Sequence, residues 1–260
     1  MKVVWGALGT AISLIRDAGP ALLIAGLVLL VWELAVRING INPVILPPPS
    51  AVFGAVLAQR EILLRNAIPT ALESLAGFLL SVVLGGLLGI LLTYSRMARD
   101  ALYPNVVLFQ LIPKVAVAPL FMLWLGIDWH SRVAIAFFIA FFPIVISTVS
   151  GLNAVDDLLL RLFKSLDATE RQIFFKVRMP SSLPFLFNGM KISMTLAIIG
   201  VIVGEFVTSQ RGLGYIILFA GSRLETTVVL AAIFVLCAVG LVLYGLVVLA
   251  ERLIMRKYGS

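Results

Sequence analysis

Few residues of this chain are equipped for chemistry. Its 260 residues include one histidine, His130, and one cysteine, Cys237. A single imidazole excludes a zinc site of two or three histidines, and a single thiol excludes an intrachain disulfide. Gly212 and Gly214 have no Walker lysine behind them, so they are read as turning the chain rather than cradling a phosphate. Neither HExxH nor G-x-S-x-G occurs, the patterns of zinc and serine hydrolases. No catalytic residue and no metal ligand is assigned. The charges that stand out are Glu73, Lys114 and Glu205, each within or at the end of a long apolar run. A charge so placed persists only where a cavity or a polar partner offsets its desolvation.

The apolar runs identify the solvent. The chain is 61% hydrophobic and 13% charged, where a soluble domain is about half apolar and about a quarter charged. The expected fold is all-α and integral to a membrane. About six transmembrane helices are placed over 20–36, 67–94, 101–125, 132–152, 186–208 and 228–254. Residues 3–15 are apolar but precede no convincing cleavage site, so 1–19 is expected to be an interfacial segment and 20–260 a single transmembrane domain. After Pro47, Pro48 and Pro49, Ser50 reads as the N-cap of a short helix over 51–59. Ser81, Gly85 and Gly89 recur every four residues, which lets a neighbouring helix approach closely. Phe137, Phe138, Phe141 and Phe142 are read as packing or lipid contact, and His130 as part of an external turn.

The third span is interrupted by Pro104, Pro113 and Pro119, with Lys114 near its middle. An ammonium at that depth costs about 2.5–3.5 kcal/mol on insertion scales. Lys114 is therefore expected either to line a solute pathway or to bond carbonyls freed by the prolines. The stretch 211–227 is expected to turn back on itself around a short outer helix over 215–220. Glu205 is expected chiefly to hold that turn, and is also a tentative pathway residue. The charge of +7 is spread through the loops rather than gathered in a nucleic-acid patch. With the N-terminus placed inside, thirteen lysines and arginines fall on the inner side and six on the outer, with Lys114 in a span. That bias puts both termini, and the polar stretch 153–185, in the cytoplasm.

The stretch 153–185 is the most informative. Val155, Leu158, Leu159, Leu162, Phe163 and Leu166 recur at helical spacing, with Asp156, Asp157, Arg161, Lys164 and Ser165 between them. Asp167-Ala168 breaks this amphipathic helix. Thr169 to Gln172 then reads as a capping box. A second short helix carries Ile173, Phe174 and Val177 and is expected to stop before Pro180. Two short helices at an angle suit docking onto a soluble partner, the alternative being an interfacial helix lying on lipid headgroups.

The order of amphipathic helix, turn, Ala168-Thr169-x-x-Gln172, Val177-Arg178-Met179-Pro180 and Leu183-Pro184 resembles the EAA loop of ABC importer permeases. The likeness extends from about Leu46 to Lys257. Leu46-Pro47-Pro48-Pro49-Ser50, Ile112-Pro113-Lys114-Val115-Ala116, Ala118-Pro119-Leu120-Phe121, Trp124-x-Gly126, Gly204-Glu205-Phe206 and Gly212-Leu213-Gly214-Tyr215 are similar to the nitrate/sulfonate/taurine group. Two departures stand out: Arg161-Leu162-Phe163 replaces Glu-Ala-Ala, and Asp167 replaces the family's glycine.

The resemblance implies a type I ABC importer permease fold and a multi-pass subunit of the bacterial inner membrane that is not itself an enzyme. The implied partners are a second copy of the chain, two cytoplasmic ATPase subunits, an extracytoplasmic solute-binding protein and lipid, with no nucleic acid. No cofactor is expected on this chain, with ATP and Mg on the ATPases. Leu162, Phe163, Leu166, Asp167, Ala168, Thr169 and Gln172 would form the coupling site. The solute would be a small anion, a sulfonate or a heteroaromatic vitamin precursor, and the runs Phe175-Lys176-Val177-Arg178 and Gly204-Glu205-Phe206-Val207 lean toward the last. The alternative is a channel or membrane-embedded enzyme without an ATPase.

Overall fold

The computed structural model describes residues 19–20, 23–208 and 210–258. The interfacial segment expected over 1–19 lies outside the described residues except for Gly19. The described elements are helical: α1 (23–38), α2 (Pro49–Ala58), α3 (Arg60–Tyr94), α4 (Arg96–Leu111), α5 (Lys114–Leu125), α6 (Trp129–Asn153), α7 (Asp157–Ser165), α8 (Glu170–Ile173), α9 (Met179–Thr208), α10 (Leu213–Ser222) and α11 (Thr226–Tyr258). A π-helical turn, Phe174–Arg178, joins α8 to α9.

Among the described residues, helices α3, α6, α9 and α11 are long and apolar enough to cross a membrane, and the bent pair α4–α5 makes a fifth if its two halves form one broken span rather than a re-entrant loop. The first expected span, 20–36, corresponds to α1, whose Leu23, Ile24, Leu27 and Val28 are exposed. An exposed apolar surface of this extent belongs in lipid or against another subunit.

The core is α6, packed lengthwise between α3 and α9. Small residues bring the backbones together, since helix pairs in lipid are held by close packing rather than by a hydrophobic drive. A Cβ on Gly89 would lie 2.5 Å from the Thr148 Cβ, and one on Gly200 2.6 Å from the Ala136 Cα. The Ser81 hydroxyl, on the same α3 face, donates to the Phe137 carbonyl at 3.0 Å. The expected small-residue stripe of α3 is thus an α6 contact. Phe142 is buried beside Val145 and Leu92, whereas Phe138 and Phe141 pack at its rim.

Three local expectations are corrected. Ser50 does not cap α2, because the cap position is Pro48. Its amide and hydroxyl instead donate to Glu33 at 2.9 and 2.8 Å, and Glu33 also pairs with Arg37. The third span is not one helix over 101–125. It breaks once, at Ile112-Pro113, with a bend of 102°, while Pro104 and Pro119 lie inside helices. The helix expected to stop before Pro180 continues into α9. Met179 N–H bonds the Phe174 carbonyl five residues back, and this wider turn accommodates a proline that has no N–H to give. In addition, His130 belongs to the first turn of α6 rather than to a loop, with its ring 4.1 Å from that of Trp129.

Candidate functional site

Helix α9 carries distinctive structure at both ends. At its start is an elbow formed by α7 and α8. Asp156 caps α7, accepting from the Leu158 amide at 2.9 Å. The far end closes on itself: Asp167 N–H bonds the Lys164 carbonyl and Ala168 N–H the Phe163 carbonyl, each at 3.1 Å. These 5→2 and 6→1 bonds define a Schellman motif, whose left-handed residue is usually glycine. Here that residue is Asp167, with φ 53°. Aspartate tolerates this region better than most side chains, so the turn forms without glycine.

Immediately afterwards the capping box closes in both directions. The Gln172 amide donates to Thr169 Oγ1 at 3.3 Å, and the Thr169 amide to Gln172 Oε1 at 2.8 Å. The apolar stripe divides. Val155, Ile173 and Val177 are buried, fastening the elbow to the bundle, whereas Leu158, Leu162 and Leu166 are 73%, 54% and 69% exposed. Phe163 and Ala168 are half-buried. Arg178 ties the base down: its guanidinium donates to the Leu152 carbonyl at 3.3 Å and lies 5.5 Å over the Tyr94 ring.

At the other end of α9 is a polar knot. Asn66, Thr70 and Glu73 share one face of α3, being spaced four and three residues apart. Glu73 takes a bidentate pair from Arg132 of α6, both contacts 2.6 Å, with both residues buried. Glu205 of α9 is 1% exposed. Its Oε1 accepts from the Thr70 hydroxyl and its Oε2 from the Gly214 amide, each at 2.6 Å. Thr70 Oγ1 accepts from the Leu213 amide at 3.0 Å, and Asn66 Oδ1 from the Gly212 amide at 2.8 Å. Glu205 therefore faces the turn before α10, not an open path. Arg132, counted only among the outer charges, is a missed member of this cluster, as are Asn66 and Thr70. For Arg132 the only signal was an arginine opening an apolar run. Beside the knot is a cavity of 780 Å³ lined by Arg65, Asn66, Trp129, Arg211 and Tyr215 among others.

Lys114 occupies neither end. It is the first residue of α5, immediately after the bend, half-buried, with Nζ 5.4 Å from the Phe142 ring centroid. The N-terminal end of a helix already carries partial positive charge, so Lys114 adds to a positive focus at the break. Discontinuous helices in transporters use such ends to face anionic groups. The sequence-predicted residues thus separate into three places: the elbow, the break and the knot.

The profile of the family described as "Binding-protein-dependent transport system inner membrane component" matches residues 77–256. The chain is 33% identical to the formylaminopyrimidine transport permease protein ThiX of Halalkalibacterium halodurans, over 88% of this chain and 92% of that one. It is 30% identical to the putative aliphatic sulfonates transport permease protein SsuC of Bacillus subtilis, over 92% and 87%. Its fold matches a chain of the MetNI methionine ABC transporter in an inward-facing conformation, with a TM-score of 0.65, 23% identity and coverage of 78% of this chain and 99% of that one. The chain belongs to the binding-protein-dependent transport system inner membrane component family, and is a transport subunit, the permease of an ABC importer, rather than an enzyme.

Proposed function

We propose that two copies of this chain form the solute path of the importer, with the elbow of each seated in a groove of a cytoplasmic ATPase subunit. The observation that carries this reading is the exposed row Leu158, Leu162 and Leu166 on a short helix whose turn is locked by Asp167 and Thr169. The rest of the coupling surface is Phe163, Ala168 and Gln172. ATP and Mg bind the ATPases, and an extracytoplasmic binding protein delivers the solute. The elbow end lies in the cytoplasm with both termini, in the bacterial inner membrane. Closure of the ATPases draws the elbows together and α9 transmits the movement. Shifting a two-state equilibrium from 1:99 to 99:1 takes about 5.5 kcal/mol of differential binding.

Co-purification tests the docking. Leu162→Asp with Leu166→Asp should abolish recovery of the ATPase while permease yield is kept. Retained recovery overturns the role of the elbow.

The solute class we favour is a small heteroaromatic vitamin precursor, supported by the likeness to the formylaminopyrimidine permease. Lys114 supplies the positive focus along its path. Mass spectrometry of the ligand carried by the cognate binding protein decides the class, and a sulfonate there replaces this reading. Lys114→Met should lower uptake while ATPase assembly persists. Unimpaired uptake at normal yield removes Lys114 from the path.

A further inference from the structure

Helix α10 begins without a cap of its own. Its N-cap residue is Gly212, which has no side chain to accept a bond, and the first amides of a helix have no partner within it. Here three successive amides, of Gly212, Leu213 and Gly214, are satisfied by side chains from other helices: Asn66 and Thr70 of α3 and Glu205 of α9. The fit leaves no room for alternatives. Gly212 has φ 110°, and a Cβ there would lie 2.1 Å from Glu205 Oε1; one on Gly214 would lie 2.8 Å from Oε2. The Thr70–Glu205 bond also joins α3 directly to α9, and the Glu73–Arg132 pair joins α3 to α6 one turn further along.

We infer that Asn66, Thr70 and Glu205 act as positioning residues, a cap supplied in trans that makes α10 a rigid extension of the α3–α9 pair. The short helix then does not swing on its flanking loops as an independent flap. It changes place only when α3 and α9 move, so the solute entrance at this end is controlled by the same helix that begins at the elbow. Thr70 is the centre of the device, because its one hydroxyl both donates to Glu205 and accepts from Leu213. The inference rests on the import reading for its functional consequence, but the cap itself is a property of the single chain.

Spin labels at Leu64→Cys on α3 and Leu218→Cys on α10, in a Cys237→Ser background, report the α3–α10 distance by pulsed electron resonance. Both labelled positions are exposed. In the complex with its ATPase, the distance should be narrow and the same without nucleotide and after vanadate trapping. Thr70→Val should broaden it and lower uptake about tenfold while ATP hydrolysis continues, the scale expected when a buried donor and acceptor lose their partner. Thr70→Ser, which keeps the hydroxyl, should restore both. Asn66→Leu, at the rim of the cap, gives a milder broadening if Thr70→Val fails to fold. A distance that changes with nucleotide in the unaltered chain, or stays narrow in both the Val and Leu variants, overturns the inference. Failure to assemble with any ATPase counts against the import reading instead, and the nucleotide-free measurement on the permease alone still decides the cap.

Discussion

The two ends of α9 are built on opposite principles. At the elbow, bonds close within a few residues: Asp167 to Lys164, Ala168 to Phe163, Thr169 with Gln172. Its leucines are left exposed. At the knot, bonds join residues far apart in sequence, such as Thr70 with Glu205 and Glu73 with Arg132, and the charges are buried. A locally closed element keeps its shape without help and retains an apolar face for a partner. An element closed by distant residues has its shape only inside the assembled bundle. Under the proposed function, the first is suited to docking and the second to transmitting position.

The contrast can be broken most forcefully at the ion pair. Arg132→Met leaves Glu73 as an unpaired buried carboxylate, and should cost about 3–5 kcal/mol, read as a lower unfolding midpoint of the purified permease. Adding Glu73→Leu should recover most of the loss, since a buried pair is often replaceable by packed apolar groups. An unchanged midpoint in the single variant would show that the knot does not hold the bundle.

A smaller loss is expected at Gly212→Ala, about 1–3 kcal/mol, because the new methyl must displace Glu205 from a residue already at positive φ. Thermal unfolding and the α3–α10 distance should change together.

The smallest expected effect sharpens the other side. Asp167→Gly should stabilise the elbow by about 1 kcal/mol through relief of the left-handed strain, seen as slower amide exchange at 167–168 with the bundle midpoint unaltered. Asp167→Pro reverses the sign: it forbids the positive φ and removes the amide that bonds Lys164. Transport should then be lost although the membrane helices melt normally. A fall in the bundle midpoint would show that elbow and bundle are one cooperative unit.

The elbow was legible in the sequence because its determinants are local. Spacing of the leucines, the Thr169–Gln172 box and a turn residue at 167 all fall within one short window. The small-residue face of α3 was legible for the same reason. The knot was only half legible. Glu73 and Glu205 stood out as carboxylates in apolar runs, but nothing in one dimension links either to Arg132, Thr70 or Asn66. Prolines misled by suggesting too many breaks. Pro113 breaks its span, whereas Pro104, Pro119 and Pro180 do not, because the outcome depends on whether the neighbouring turn can widen or its carbonyls find partners. Ser50 likewise had the right type for a cap, but the carboxylate of Glu33, seventeen residues away, competes for its amide and hydroxyl.

The π-helical turn Phe174–Arg178 acts as an indexing device between these two ends. Such a turn holds one residue more than an α-turn, and each residue advances a helix by about 100° and 1.5 Å. Deleting a single residue there would restore ordinary winding, rotate everything ahead of it by about 100°, and aim Leu158, Leu162 and Leu166 at a different bearing. Chain length across five residues, rather than their chemistry, therefore sets the compass heading of that exposed row.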